Sequence, residues 1–160
     1  MTAETIIEKL NLTRHPEGGF YRETYRAEKS VTLDNGKVRN TGTAIYYLLK
    51  GADKSHFHKV GSDELWLFHQ GEPLELLMIT GDGNIETKIL GNRLDLDEEP
   101  RIIIPANVWF AARIKEEKGF TLVSCIVAPG FEFEDFELAD KNELIRSFPN
   151  IKDEIEELCL

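Results

Sequence analysis

Thr2 opens a segment in which Ile6, Ile7 and Leu10 recur on one stripe, the spacing of a short amphipathic helix. His15-Pro16-Glu17-Gly18-Gly19 then stops it, because proline and paired glycines break a helix interior. Beyond that turn the apolar positions alternate or cluster in short runs bounded by Gly, Asp or Asn. These are FYRETYR, GTAIYYLLKG, DELWLFHQG, PLELLMITGDGN, IETKILGNR, RIIIPANVWFAARIK and GFTLVSCIVAPGFEFEDFEL. Short strands at a spacing of about ten residues, with no helical period between them, predict an all-β sandwich or barrel. Gly81-Asp82-Gly83-Asn84 predicts a hairpin turn, since Gly and Asn tolerate the positive φ such turns require.

Helical spacing returns only at the end. Asp140 and Glu143 form a D-x-x-E capping pattern ahead of Leu144 and Ile145, and Pro149 closes that segment. Asn150 with Asp153 predicts a second helix start, with Ile151, Ile155 and Leu158 on a stripe that must pack on something. The chain reads as one domain over 1–160, with a helix and turn in 1–19, a barrel in 20–138 and helices in 139–160.

Composition narrows the function classes. No run approaches the roughly 18 apolar residues of a membrane helix, and the N-terminus lacks a basic segment followed by an apolar one. No membrane association and a cytoplasmic location are expected. A net charge of -10 opposes nucleic-acid binding, which depends on neutralising phosphates with Lys and Arg. Residues 131–160 hold ten acidic and three basic side chains, which reads as a solvated acidic tail. Cys125 and Cys159 are the only cysteines, too few for a CxxC site or a disulfide framework, and Cys125 reads as a buried inert thiol.

Three of the four histidines fall within residues 56–69. On a regular strand His56 and His58 point to one face, about 6–7 Å apart, and Glu64 can join them after the turn Lys59-Val60-Gly61-Ser62-Asp63. Two imidazoles and a carboxylate are a ligand set for a divalent transition metal. The same cluster equally forms a hydrogen-bonded pocket with no metal. Parity places Glu64, Trp66 and Phe68 on one face of ELWLFHQ and Leu65, Leu67 and His69 on the other, so His69 is expected to face outward.

The segment from Gly51 to Gly71 resembles the first motif of the cupin superfamily, G-x5-H-x-H-x(3,4)-E-x6-G. It departs in having four residues between Gly51 and His56 and five between His58 and Glu64. The second cupin motif falls on Pro105-Ala106-Asn107-Val108-Trp109-Phe110, where Phe110 stands in the place of the last histidine ligand. From His15 to Phe148 the chain resembles the branch grouped as domain of unknown function 985. The match rests on HPEGGFYRETYR, SHFH, SDELW, GEPLELL, PANVW and APGFEFEDFEL, with Asn107, Phe110 and Leu67 departing from the branch.

That resemblance implies a cupin-type double-stranded β-helix, or jelly-roll barrel, with a short N-terminal helix and C-terminal helices. It further implies a homodimer, an interior ligand pocket and a likeness to dTDP-sugar epimerases, which move protons without a metal. On this reading His58 is the base, Glu64 orients it, and Tyr47, Arg113 and Tyr21 are acid or oxyanion partners. His56, Trp66, Phe68, Phe110 and Glu17 complete the expected pocket. The first expectation is a metal-independent isomerase or epimerase of a keto-sugar or similar small polar carbonyl compound, with no cofactor. The alternatives are a non-catalytic module for a small metabolite or nucleotide, and a metal-dependent enzyme using His56, His58 and Glu64. The run FYRETYRAE is expected to pair with a second copy in a twofold dimer.

Overall fold

The computed structural model describes residues 1–160 throughout. Helix α1 spans Ala3–Leu10, with Thr2 Oγ1 accepting from the Thr5 N–H and Asn11 closing it in the left-handed region at φ 51°. Thirteen strands follow: β1 (Thr13–Arg14), β2 (Phe20–Arg26), β3 (Ser30–Thr32), β4 (Val38–Asn40), β5 (Thr43–Lys50), β6 (Lys54–Val60), β7 (Asp63–Gly71), β8 (Leu74–Ile79), β9 (Ile85–Leu90), β10 (Arg101–Ile104), β11 (Phe110–Ile114), β12 (Phe120–Ala128) and β13 (Phe136–Leu138). Helices α2 (Lys141–Ser147) and α3 (Lys152–Leu158) end the chain. None of the helices is long and apolar enough to cross a membrane.

The strands form a six-stranded sheet, ordered β1-β2-β5-β12-β7-β10, and a five-stranded sheet, ordered β13-β6-β11-β8-β9, with β3 and β4 as a separate hairpin. All pairings within the sheets are antiparallel. The two sheets face each other across a core that includes Tyr47, Trp66, Leu76, Ile104 and Phe110, giving the jelly-roll β architecture. Strand β8 is buried at all six positions because both its faces are covered, which explains why LELLMI shows little alternation. Its outward Leu77 and Ile79 pack with Phe57, Leu144, Ile155 and Leu158 beneath α2 and α3. Ala3 and Ile6 of α1 cover Leu48 and Leu122 on the back of the other sheet.

Several expectations need correction. The run from Arg101 to Lys115 is two strands in different sheets, separated where Asn107 takes φ 63°, a conformation asparagine tolerates better than most residues. Asp140 does cap α2, accepting from the Glu143 N–H, but α3 follows a 3-10 turn at Pro149–Ile151 and has no side-chain cap from Asn150. The acidic C-terminal stretch is not a free tail. Glu132 pairs with Arg26, Glu134 and Asp135 with Arg39, Glu137 with Lys59 and Glu157 with Arg113, while the helices close one face of the barrel.

Candidate functional site

The HPEGG turn builds the site. Gly18 and Gly19 take φ 110° and 71°, and a Cβ on Gly18 would lie 2.0 Å from the Lys54 carbonyl oxygen, so only glycine lets this backbone lie against β6. There the Glu17 carbonyl accepts from the His56 N–H at 2.8 Å, and the Tyr47 hydroxyl donates to the Gly18 carbonyl at 2.7 Å. Clamped from both sides, the turn directs the Glu17 side chain inward, where it is buried.

Glu17 Oε1 accepts from the Ser55 hydroxyl at 2.8 Å. Its Oε2 lies 3.1 Å from His58 Nε2 and 3.5 Å from His15 Nδ1, so one carboxyl sits between two imidazoles. His58 Nδ1 is 2.7 Å from the His56 carbonyl oxygen, which can only accept, so the proton is on Nδ1 and Nε2 faces the carboxyl. Burial pushes the His58 pKa down to about 4 and raises that of Glu17. With the Nδ1 proton committed to the His56 carbonyl, the 3.1 Å contact between Glu17 Oε2 and His58 Nε2 is a hydrogen bond in which the two groups share one proton.

Glu64 enters from β7, also buried, and its Oε2 has no hydrogen-bond partner. The Trp66 indole N–H is likewise buried without a hydrogen-bond partner. Burial, reinforced by Glu17, raises the Glu64 pKa to about 8, and burial beside Glu64 pushes the Cys125 thiol well up. Both groups keep their protons at pH 7.

Glu17, His58, Glu64 and Cys125 line a cavity of about 240 Å³, together with His15 and Tyr21. Arg26 lies at its mouth, holding Glu23, Asn40, Glu132 and the Phe131 carbonyl, while Phe133 packs over His15. The volume is smaller than the roughly 300–1,000 Å³ of pockets for drug-sized ligands.

Of the expected site residues, His58, Glu64, Glu17 and Tyr21 meet in the cavity. The carboxyl paired with His58 is Glu17 rather than Glu64. Trp66 and Phe110 are fully buried core residues, Phe68 packs against that core, and none of the three lines the cavity. Phe110 packs against His58 with ring centroids 4.2 Å apart and the ring planes tilted by 54°. Tyr47 is buried too, and burial raises its pKa well above the usual phenol value, so it anchors the turn and retains its proton. Arg113 lies outside the cavity, bound to Glu75 of β8 and Glu157 of α3.

His56 and His58 do not share a face. Phe110 is opposite His58 but Ala112 is opposite Ser55, so β6 carries one extra residue in this stretch. That bulge sends Ser55 and His58 to Glu17 and leaves His56 outside the cavity lining, its Nδ1 2.7 Å from the Glu17 carbonyl oxygen. No three His, Cys, Asp or Glu side chains converge in a metal-holding arrangement, and the set His56, His58 and Glu64 does not fit one. His69 faces outward as parity predicts, exposed, with Nε2 2.6 Å from Ser124 Oγ. His15 is the site residue that the strand-by-strand reading passed over. Its signal is the H-x-E spacing inside the turn, which brings His15 to the same cavity as Glu17.

A family model described as cupin superfamily (DUF985) matches residues 4–139. The uncharacterized protein YML079W of Saccharomyces cerevisiae is 29% identical over 146 residues, covering 82% of this chain and 72% of its own. A hypothetical protein from Leishmania major has a TM-score of 0.93 at 32% identity, over 99% of both chains. Protein SO0799 from Shewanella oneidensis also reaches 0.93, at 37% identity over 100% of this chain and 98% of its own. Oxalate decarboxylase from Bacillus subtilis, at 15% identity and a TM-score of 0.57 over 91% of this chain and 36% of its own, shares the fold. With the family match spanning the HPEGG turn and every barrel strand, the chain belongs to the DUF985 family of the cupin superfamily.

Proposed function

We propose that the cavity binds a small polar carbonyl compound and moves a proton at the carbon next to the carbonyl, as a metal-independent isomerase or epimerase. The observation that carries this reading is the Glu17 carboxyl held between two imidazoles, in a cavity that also contains the unpartnered Glu64 carboxyl. Buried titratable groups whose environments displace their pKa values are the usual equipment of proton transfer. Once Glu17 passes its proton to His58 Nε2, its carboxylate can accept the substrate's α-proton, and the C–H electron pair forms an enolate. Glu64, still protonated at pH 7, can return a proton to carbon. The cavity volume of about 240 Å³ favours a ligand of simple-sugar size or below. In this reading the protein is a twofold homodimer in which the open edge of β2 beyond Tyr21 pairs with a second copy; sedimentation as an 18.3 kDa species at micromolar concentration would contradict that part.

The test is deuterium incorporation from D2O next to the carbonyl of dihydroxyacetone and a panel of ketoses, followed by NMR. His58→Gln should lower the exchange by about 100-fold, the usual contribution of a positioned acid or base. His69→Asn should leave it unchanged, because that ring is on the outer face. Tight binding of a panel member with no exchange would overturn the isomerase in favour of a binding module.

A further inference from the structure

His15 is the one cavity imidazole with a ring nitrogen free of the protein. The Glu17 N–H donates to His15 Nδ1 at 3.2 Å. A nitrogen that accepts a hydrogen bond carries no proton, so in the neutral ring the proton sits on Nε2. Burial favours that neutral ring, lowering the His15 pKa against the opposing pull of Glu17. No protein group accepts from Nε2, yet that atom is not sealed away: the His15 side chain keeps 6% of its surface and lines the cavity. The ring is held edge-on to Tyr21 at 4.5 Å and to Tyr47 and Phe136 at 5.9 Å each, so its direction is fixed. His58 is the opposite case, with Nδ1 committed to the His56 carbonyl and Nε2 to Glu17.

We propose that His15 is the electrophile of this cavity, its Nε2–H donating to the carbonyl oxygen of the ligand and holding the negative charge that develops there. This rests on the reading of the cavity as the place where an α-proton is moved. The C–H pair becomes the C=C bond, the carbonyl π pair moves onto oxygen beside His15, and the proton goes to the Glu17–His58 pair. Return of a proton to carbon reverses those shifts. A neutral imidazole suits the task, since it polarises a carbonyl without surrendering its proton.

The experiment combines side-chain NMR of 15N-histidine-labelled protein with the exchange assay, using dihydroxyacetone as probe and the spectrum of His15→Phe to assign the resonance. At pH 7 the free protein should show the Nε2–H form of His15, and the probe should shift that signal. His15→Phe, which keeps the ring volume, should lower exchange by about 100-fold or more at little change in KM, the loss typical of a missing oxyanion donor. His15→Gln, which retains an N–H, should recover part of it. An Nδ1–H form of His15, a signal the probe leaves in place, or undiminished exchange in His15→Phe would each overturn the proposal. A shifted signal with no exchange in the unmutated protein would uphold the His15 contact and overturn the proton-transfer reading instead.

Discussion

Replacing Glu64 by glutamine removes a titration that burial has displaced by an amount large enough to measure. Its pKa rises from 4.5 to about 8, with desolvation as the main cause and the Glu17 charge as the second. A carboxyl with a higher pKa folded than unfolded binds its proton more tightly in the folded state. Its contribution is complete below 4.5 and is lost as pH rises through about 8. At about 1.4 kcal/mol per pH unit the whole span amounts to about 5 kcal/mol, of which about 2.5 kcal/mol falls between pH 5 and pH 7. That is a sizeable part of the roughly 5–15 kcal/mol that holds a domain together. Glutamine keeps the shape and cannot ionise. Urea unfolding of both proteins at half-unit steps from pH 4.5 to 9 should show Glu64→Gln gaining on the parent by about 1.4 kcal/mol per unit through the middle of the range, then levelling off above pH 8. Repeating the comparison in a Glu17→Gln background should bring the levelling-off to lower pH and shrink the total gain, because Glu17 is one cause of the displacement. Parallel stability curves across the range would refute the argument that Glu64 is a desolvated acid.

Two further outcomes follow from the geometry. Gly18→Ala places a Cβ against the Lys54 carbonyl at a residue with φ 110°, and should cost more than about 3 kcal/mol in urea unfolding and expose the His56 amide to hydrogen exchange. A variant as stable as the parent would mean the turn does not lie against β6. Phe110→His restores the missing cupin histidine but should create no tight metal site, because His56 remains outside the cavity; stoichiometric cobalt binding at micromolar concentration, seen in its visible absorption, would count against the bulge.

Much of the barrel was legible in the sequence. FYRETYR and DELWLFHQG coincide with β2 and β7 residue for residue, the first starting after the Gly18-Gly19 turn and the second following Gly61-Ser62 and ending at Gly71. Alternation along β7 puts Glu64 and His69 on opposite faces, and His69 is indeed exposed and bonded to Ser124, although β7 carries an extra residue against β12 at this position. Strands β3 and β4 had no comparable pattern, since five of their six residues combine exposure or partial exposure with mixed chemistry and they pair only with each other. The site was half legible. Glu17, His58, Glu64 and Tyr21 were named and do meet, while Trp66, Phe68, Phe110 and Tyr47 were apolar or aromatic neighbours that the core absorbed.

By itself the sequence determined the period of the strands, the turns that must hold glycine, the helix caps at Thr2 and Asp140, and the acid and base types available to the cavity. Each of these is a local property, set by the backbone freedom of a residue or the spacing of its neighbours. Tertiary structure alone decided which of them meet. The bulge that parts His56 from His58 belongs to the pairing of β6 with β11, more than fifty residues along the chain, so no inspection of SHFH reveals it. Glu17 displaced Glu64 as the partner of His58 because the HPEGG turn lies over the end of β6, a contact fixed by close packing at Gly18. Arg113 was drawn to Glu75 and Glu157 by the docking of α3. The charge states of the site followed last, because desolvation depends on everything that surrounds a group and a linear chain does not specify its surroundings.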